Sequence, residues 1–295
     1  YISLGGEDQS SFNLSNENVL TFNESPDYET KSDYELVISV TDGIDILDKS
    51  VSIKLNNLND NIPLFASESV FNADENQTAI GSVTATDADG DALTYSISGE
   101  ELSITSNGIL SFASAPDYET NTSFTATVTV TDGLTSVNQD ITVNVNNLND
   151  NSPVFSSSTV FNADENQTAI GSVTATDADG DALTYSISGE ELSITSNGIL
   201  SFASAPDYET NTSFTATVTV TDGLTSVNQD ITVNVNNLND NSPIFSSSES
   251  FSIEENKSAI GTVIAADADI GSSISYSIDN SVNQNIEVEI EANSN

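Results

Sequence analysis

Oxygen-bearing side chains recur along this chain in three short motifs, and the copies of each motif lie 90 residues apart. The motifs are Asp-Ala-Asp, Pro-Asp-Tyr-Glu and Asn-Asp-Asn, and their copies begin at Asp87, Asp177 and Asp267, at Pro26, Pro116 and Pro206, and at Asn59, Asn149 and Asn239. Carboxylate and amide oxygens are ligands that hard divalent cations prefer, and calcium takes about six to eight of them. The pattern favours a calcium site over a magnesium site, because magnesium requires a tighter octahedral geometry.

The elements that must position these motifs are themselves repeated. Residues 71–151 recur without one change as residues 161–241, which indicates a tandem array. Division after each Asn-Asp-Asn motif predicts four repeats, at residues 1–61, 62–151, 152–241 and 242–295. The first lacks its N-terminal part and the last its C-terminal part, so we expect a window of a longer protein. The alternative is that the partial end repeats pair with other chains.

Within each repeat, apolar residues alternate with polar ones, which is typical of half-buried strands. Strands are predicted over residues 79–87, 92–98, 108–113, 123–132 and 140–148. Tyr95, Phe112 and Phe124 follow this period and are expected in the core. About seven short strands per repeat, with no helical period, predict an all-β antiparallel sandwich.

Composition excludes several classes of function. The chain has 46 acidic residues against 4 basic ones, a formal net charge of −42, so nucleic acid and anionic membranes are poor partners. It has no histidine and no cysteine, so the usual general base and thiol nucleophile are missing and we expect no enzyme. No apolar run is long enough to span a membrane.

Carboxylates of two neighbouring repeats are expected to converge where the repeats meet, because the loops of a sandwich gather at its two poles. At the boundary of the second and third repeats they are Glu75, Asp117, Glu119 and Asp150, together with Asp177, Asp179 and Asp222. At about 5 Å, each pair of like charges costs on the order of 3 kcal/mol at an effective dielectric near 20. A bound divalent cation removes that repulsion.

Four segments of the chain, taken in order, resemble the cadherin repeat: TAIGSVTATDADGD, PDYET, TVTVTDG and NNLNDNSPVF. The resemblance covers both complete repeats and both partial ones. It implies seven-stranded Greek-key, immunoglobulin-like sandwiches joined end to end, with up to three calcium ions at each junction. It also implies a role in adhesion or in a long surface protein.

The resemblance further implies three sets of metal ligands. The first is Asp27, Glu29, Asn59, Asp60, Asn61, Asp87, Asp89 and Asp132. The second is Glu75, Asp117, Glu119, Asn149 by its backbone carbonyl, Asp150, Asn151 by its side chain, Asp177, Asp179 and Asp222. The third is Glu165, Asp207, Glu209, Asn239, Asp240, Asn241, Asp267 and Asp269.

This sequence departs from the family pattern at three places. The first Asp of the family's Asp-x-Asn-Asp-Asn motif is replaced by Asn57, Asn147 and Asn237, so a junction could hold two ions or three. The Arg of the family's Asp-Arg-Glu motif is replaced by Tyr28, Tyr118 and Tyr208. The last repeat has DADIG where the others have DADGD, which argues against Asp91 and Asp181 as ligands.

These features favour a calcium-stiffened extension rod in a large extracellular adhesion protein, at the cell surface or secreted. Near-identical repeats without cysteine are more typical of a bacterial surface protein than of an animal cadherin. Two alternatives stay open. The repeats could themselves be the adhesive surface, through a like copy, another surface protein or a glycan, or the chain could be a subunit of an extracellular filament or sheath.

Overall fold

The computed structural model describes residues 1–279 and 289–294, so residues 280–288 and 295 of the predicted last repeat lie outside it. The chain divides into two compact units, residues 1–148 and 149–295. Strands dominate both units, and the helical content of the described residues is one 3-10 turn, Gln9–Ser11. Among those residues, no helix has the length and apolar character needed to cross a membrane.

The first part of unit 1 is a small β-structure. Its strands are β1 (Ile2–Gly5), β2 (Phe12–Leu14), β3 (Leu20–Phe22), β4 (Asp33–Thr41) and β5 (Ile46–Lys54). Strand β4 pairs antiparallel with β1 and with β5, and β2 pairs with β3. Phe12, Tyr34 and Leu36 are buried together and form its core.

The second part of unit 1 is a complete sandwich. Its strands are β6 (Leu64–Phe65), β7 (Val70–Asp74), β8 (Ala79–Ser82), β9 (Ala85–Thr86), β10 (Thr94–Ile97), β11 (Leu102–Ile104), β12 (Ile109–Phe112), β13 (Ser123–Thr131) and β14 (Ser136–Asn146). One sheet has the order β10-β13-β14-β7 and the other the order β11-β12-β8. Strand β6 pairs with β9, and β7 runs parallel to β14. The prediction of an all-β, seven-stranded sandwich is confirmed, with the first and second strands each split in two.

The alternation of side chains along β13 and β14 fixes how they pair. Val128 faces inward and is fully buried. The threonines on either side face outward, where the Thr127 hydroxyl donates to Asp140 at 2.7 Å and that of Thr129 to Asn138 at 2.8 Å. Because side chains alternate with a period of two, a slip of one residue would move the threonines into the core.

The core of this sandwich draws on both sheets. Its buried members are Ala73, Val83, Leu102, Leu110, Phe112, Val128, Ile141, Val143 and Val145. Tyr95 and Phe124 pack against them while half-buried, and the Tyr95 hydroxyl accepts the N–H of Ala85 at 2.8 Å. All three aromatic residues predicted for the core therefore contribute to it.

Unit 2 contains the same sandwich 90 residues further on. Its strands are β15 (Val154–Phe155), β16 (Val160–Asp164), β17 (Ala169–Ser172), β18 (Ala175–Thr176), β19 (Thr184–Ile187), β20 (Leu192–Ile194), β21 (Ile199–Phe202), β22 (Ser213–Thr221) and β23 (Ser226–Asn236). Its two main sheets have the orders β16-β23-β22-β19 and β17-β21-β20. The described residues after them contain β24 (Ile244–Phe245), β25 (Ala265–Ala266), β26 (Ile274–Asp279) and β27 (Glu289–Ser294).

All five predicted strands have slightly different bounds in the structure, and two of them differ most. The last strand of the repeat begins at Ser136, not at Asp140, because the Asp132 carboxylate accepts the N–H groups of Leu134 and Thr135 and closes a tight turn. The strand predicted over 79–87 is broken around Val83, whose N–H donates instead to the Gly108 carbonyl. Gly108 has a φ of 88° there, and a Cβ on it would lie 2.3 Å from the Val83 carbonyl oxygen.

Candidate metal centre

The Asn-Asp-Asn segment of unit 1 is bonded to the loop that follows β9. Asp89 lies in that loop and is only 8% exposed. Its Oδ2 accepts the N–H groups of Asp60 at 3.0 Å and Asn61 at 2.8 Å, and its Oδ1 accepts the Asn61 amide Nδ2 at 2.8 Å. Burial raises the pKa of Asp89, but the hydrogen bonds from Asn61 and Asp60 outweigh that effect and lower it. The carboxylate is therefore held ionised against the connecting segment.

Two oxygens beside Asp89 are buried and have no hydrogen-bond partner. Asp87 uses its Oδ1 to accept the N–H of Asp89 at 2.9 Å, whereas its Oδ2 is unpartnered. Asn59 donates its Nδ2 to the Asp132 carbonyl at 3.3 Å, whereas its Oδ1 is unpartnered. A buried acceptor without a donor is costly unless a cation or water is bound to it. These oxygens therefore fit a hard cation.

Further carboxylates surround the same segment. One oxygen each from Glu29, Asp60 and Asp89 lies within 4.8 Å of the others, and the same holds for Asp87, Asp89 and Asp91. Burial raises the pKa of Glu29, as do the carboxylates of Asp27 and Asp89. Burial likewise raises the pKa of Asp91, with the charges of Asp87, Asp89 and Asp132 adding to the effect. The site is strongly negative, and in the described part of the chain the ion pairs of lysine are with Asp8 and Asp33, outside these groups.

The predicted ligand at the end of β7 is buried in its own sandwich. Glu75 is 2% exposed, and its two carboxylate oxygens accept the N–H groups of Tyr118 and Leu148, both at 2.8 Å. Glu165 repeats the arrangement with Tyr208 and Leu238, both at 2.7 Å. In each sandwich, the hydrogen bonds of this glutamate therefore connect the Pro-Asp-Tyr-Glu turn and the connecting segment to the end of its strand.

Unit 2 repeats the first arrangement at its start. The Asp179 carboxylate accepts the N–H groups of Asp150 at 3.0 Å and Asn151 at 2.8 Å. Asp177 Oδ2 and Asn149 Oδ1 are buried and unpartnered, like their counterparts in unit 1. The aspartate Oδ2 and the asparagine Oδ1 at these two positions therefore lack a hydrogen-bond partner in both units.

The last Asn-Asp-Asn segment lies within unit 2 and differs from the others in its contacts. Asp269 accepts the N–H of Asn241 at 2.9 Å, and the Asn241 amide also donates to Glu209 at 3.0 Å. Asp267 Oδ2 is buried and unpartnered, as at the other two positions. The oxygen of Asn239, however, accepts the Ser272 hydroxyl at 3.3 Å. The Asn239 oxygen is therefore satisfied here, whereas the Oδ1 of Asn237, two residues earlier, is buried and unpartnered.

The structure brings together most residues of the first and third predicted sets. Asp27 lies in the same turn as Glu29, and its pKa is lowered chiefly by the Thr30 hydroxyl. In unit 2, oxygens of Glu165, Asp207 and Glu209 lie within 4.8 Å of one another. The second set is divided between the units, with Glu75, Asp117 and Glu119 in unit 1 and the other members in unit 2.

Two details of the structure add to the sequence-based expectation. The bare oxygen of the connecting segment belongs to the side chain of Asn149, whereas the Asn151 amide donates to the carboxylates of Asp150 and Asp179. The roles expected of the Asn149 backbone carbonyl and the Asn151 side chain stay predictions. In addition, Asp91 and Asp181 lie within the carboxylate groups, although the sequence argued against them. Their spacing of two residues from Asp89 and Asp179 was the signal that could have included them.

Comparison with known proteins agrees with the repeat and the sandwich. A family model described as bacterial Ig domain matches residues 59–146 and 149–236. The solved structure of the protocadherin gammaB7 EC3-6 cis-dimer has a TM-score of 0.67 and 25% identity, covering 94% of this chain and 79% of that one.

Two curated relatives are similar in sequence to parts of this chain. Human protocadherin-15 is 32% identical over 218 residues, which is 66% of this chain and 11% of that protein. Chitinase A of Pseudoalteromonas piscicida is 35% identical over 154 residues, 51% of this chain and 18% of the enzyme. The chain therefore spans only a small part of the length of these relatives.

Proposed function

The chain belongs to the bacterial Ig domain family and consists of cadherin-like repeats, and from that premise we propose that it binds calcium where its repeats meet. The observation that carries the proposal is the recurrence of a buried, unpartnered Oδ2 at Asp87, Asp177 and Asp267. A cation satisfies such an oxygen, and calcium matches a donor set made only of oxygens.

Charge supports the same conclusion. The three ligand sets contain 6, 7 and 6 carboxylates, counted over the residues named for each. In the described residues, the ion pairs made by lysine are those of Lys31 with Asp8 and of Lys54 with Asp33, and both lie outside the ligand sets. Calcium ions, at up to three per junction, supply the positive charge that the protein does not.

We infer that the repeats run over residues 1–61, 62–151, 152–241 and 242–295. Each Asn-Asp-Asn segment donates to the second aspartate of the following Asp-Ala-Asp loop, as in the pairs Asn61–Asp89 and Asn241–Asp269. The end of one repeat is thus bonded to the next repeat. A calcium ion held by oxygens from both repeats would restrict their relative motion, so the array would act as a stiff extension segment.

The setting that suits this role is extracellular, at a cell surface or in a secreted protein, where calcium modules work at about 10⁻⁴ to 10⁻³ M. One similar solved structure is a protocadherin cis-dimer, which supports adhesion, including contact with a like copy, as the purpose of the whole protein. We propose no catalytic role for these repeats. The match to chitinase A covers 18% of that enzyme, and the chain has no histidine or cysteine.

Calcium titration tests the binding step. The whole chain, stripped of metal, should show saturable calcium binding by isothermal titration calorimetry, with more than one ion per junction and dissociation constants of about 10⁻⁴ to 10⁻³ M. Magnesium at the same concentration should bind at least about tenfold more weakly, because it gives up its water ligands reluctantly. A flat calcium titration at millimolar concentration would contradict the proposal.

A further inference from the structure

The hairpin between β11 and β12 closes with an Asn-Gly dipeptide, which is a strong hairpin signal. Asn-Gly is also prone to deamidation, because glycine has no side chain to hinder attack on the asparagine amide. The dipeptide occurs twice, as Asn107-Gly108 and as Asn197-Gly198 in the repeated sandwich. Asn107 is exposed to water, whereas Gly108 is buried. The three predicted ligand sets do not include this turn.

The sandwich requires glycine at the second position of the dipeptide. Gly108 has a φ of 88°, and a Cβ on it would lie 2.3 Å from the Val83 carbonyl oxygen. Gly198 repeats both features, with a φ of 84° and the same 2.3 Å to a valine carbonyl oxygen. In the first repeat the corresponding residue is Asn18, with a φ of 64° and Glu17 before it. That repeat therefore has no Asn-Gly dipeptide at this turn.

Deamidation at an Asn-Gly dipeptide needs only water. The backbone nitrogen of Gly108 loses its proton and attacks Cγ of Asn107, the Cγ–Nδ2 bond breaks, and the amide group leaves with that proton as ammonia. A cyclic succinimide results. Water then adds to one of the two carbonyl carbons of the ring, which opens to aspartate or to isoaspartate.

The closed turn opposes the first step of this reaction. The N–H that Gly108 must lose donates to the Thr105 carbonyl at 2.9 Å, and the N–H of Ile109 donates to the Thr105 hydroxyl oxygen at 2.9 Å. The Gly108 carbonyl accepts the N–H of Val83 at 2.9 Å. The corresponding three bonds in unit 2 measure 2.9, 3.1 and 2.8 Å. The attacking nitrogen is therefore hydrogen-bonded, and the glycine is fixed on both sides.

We propose that Asn107 and Asn197 are sites of spontaneous deamidation, and that the hydrogen-bonded turn slows the reaction, which proceeds when the hairpin opens. Native proteins open locally at a free-energy cost below that of global unfolding, so the rate follows the fraction of open hairpins. The product carries one more negative charge. Isoaspartate also lengthens the backbone beside Gly108, which disturbs the hydrogen bond from Val83. The inference does not depend on calcium binding.

The test follows deamidation of the whole chain by mass spectrometry, with chromatography to separate aspartate from isoaspartate. The two copies give identical peptides, because residues 71–151 and 161–241 do not differ. Asn197→Gln is therefore the background, since glutamine reacts much more slowly and Asn107 remains the reactive Asn-Gly site. In this background the native chain should deamidate at least about tenfold more slowly than the same chain in guanidinium chloride at equal pH, because several hydrogen bonds must break first. Both products should form.

Thr105→Val in the same background weakens the turn and leaves the dipeptide intact. It removes the hydroxyl that accepts the Ile109 N–H, and should speed deamidation of the native chain about threefold or more. Ser103→Ala is the matched control. It removes an exposed hydroxyl that bonds to Ser111 at 2.9 Å on the same hairpin, and should change the rate by less than about twofold. In guanidinium chloride these variants and their background should react equally fast.

Three results would overturn the inference. Equal rates in the native and unfolded chains would show that the turn does not slow the reaction, and absence of deamidation in both would show that the site is inert. The Thr105 hydroxyl also donates to Asn107 Oδ1 at 2.6 Å. If that bond promoted attack by polarising the amide, Thr105→Val would slow deamidation of the native chain. Circular dichroism verifies that the variants fold, and the comparison of native with unfolded background chain needs no turn variant.

Discussion

Removing calcium should lower the melting temperature of the chain by about 10 °C or more. Ligand that binds only the folded state stabilises it by RT ln(1 + [L]/Kd), which is about 2.7 kcal/mol per site when the ion is at 100 times its Kd. For a domain of 60–100 residues, each kcal/mol corresponds to about 4–8 °C. In addition, carboxylates such as Asp87, Asp89 and Asp91, whose oxygens lie within 4.8 Å of one another, repel each other when the ion is absent.

Circular dichroism melts in 10 mM calcium and in EDTA, at equal ionic strength, measure this effect. Magnesium serves as the control for general screening by divalent cations and should restore only part of the lost stability. Identical melting curves in calcium and EDTA would show that the ion does not stabilise the folded repeats.

Glu75→Ala should destabilise unit 1 whether or not calcium is present. The carboxylate is 2% exposed and accepts the N–H groups of Tyr118 and Leu148. Its removal leaves two buried donors unsatisfied, at about 1–3 kcal/mol each, so we expect a loss of about 2–5 kcal/mol. In calcium the loss should be larger, because Glu75 is also a predicted ligand.

Urea denaturation of the whole chain measures this loss. Glu165→Ala is a matched variant, since Glu165 makes the same two contacts in unit 2 and should lower the stability of that unit by a similar amount. Glu100→Ala removes the same charge from an exposed position and should change stability by less than about 0.5 kcal/mol. If the Glu75→Ala chain were as stable as the Glu100→Ala chain, the two hydrogen bonds that Glu75 accepts would not stabilise the fold.

The sandwich could be predicted because its signals are local and periodic. Val128 lies between outward-facing threonines, and this alternation marks β13 directly in the sequence. The break in the second strand could not be predicted, since it depends on the bond from Val83 to Gly108, 25 residues away in the sequence. The early start of β14 depends on how the Asp132 side chain closes the preceding turn.

The residues of the site were easier to predict than their roles. Recurrence every 90 residues marked the aspartates and asparagines, but sequence does not show which oxygen of a side chain is used in hydrogen bonding. Only coordinates distinguish the bare Oδ1 of Asn149 from the Asn151 amide that donates to Asp179. Asp91 was discounted because the last loop lacks its aspartate, whereas the structure places an oxygen of Asp91 within 4.8 Å of oxygens of Asp87 and Asp89.

The central claim, that calcium couples neighbouring repeats, is tested most directly by small-angle X-ray scattering of the whole chain in calcium and in EDTA at equal ionic strength. If ions bound by oxygens of adjacent repeats restrict their relative motion, calcium should increase the maximum dimension and remove the scattering signature of a flexible chain. Magnesium at the same concentration should produce much less of this change. Superimposable curves in calcium and EDTA would contradict the claim.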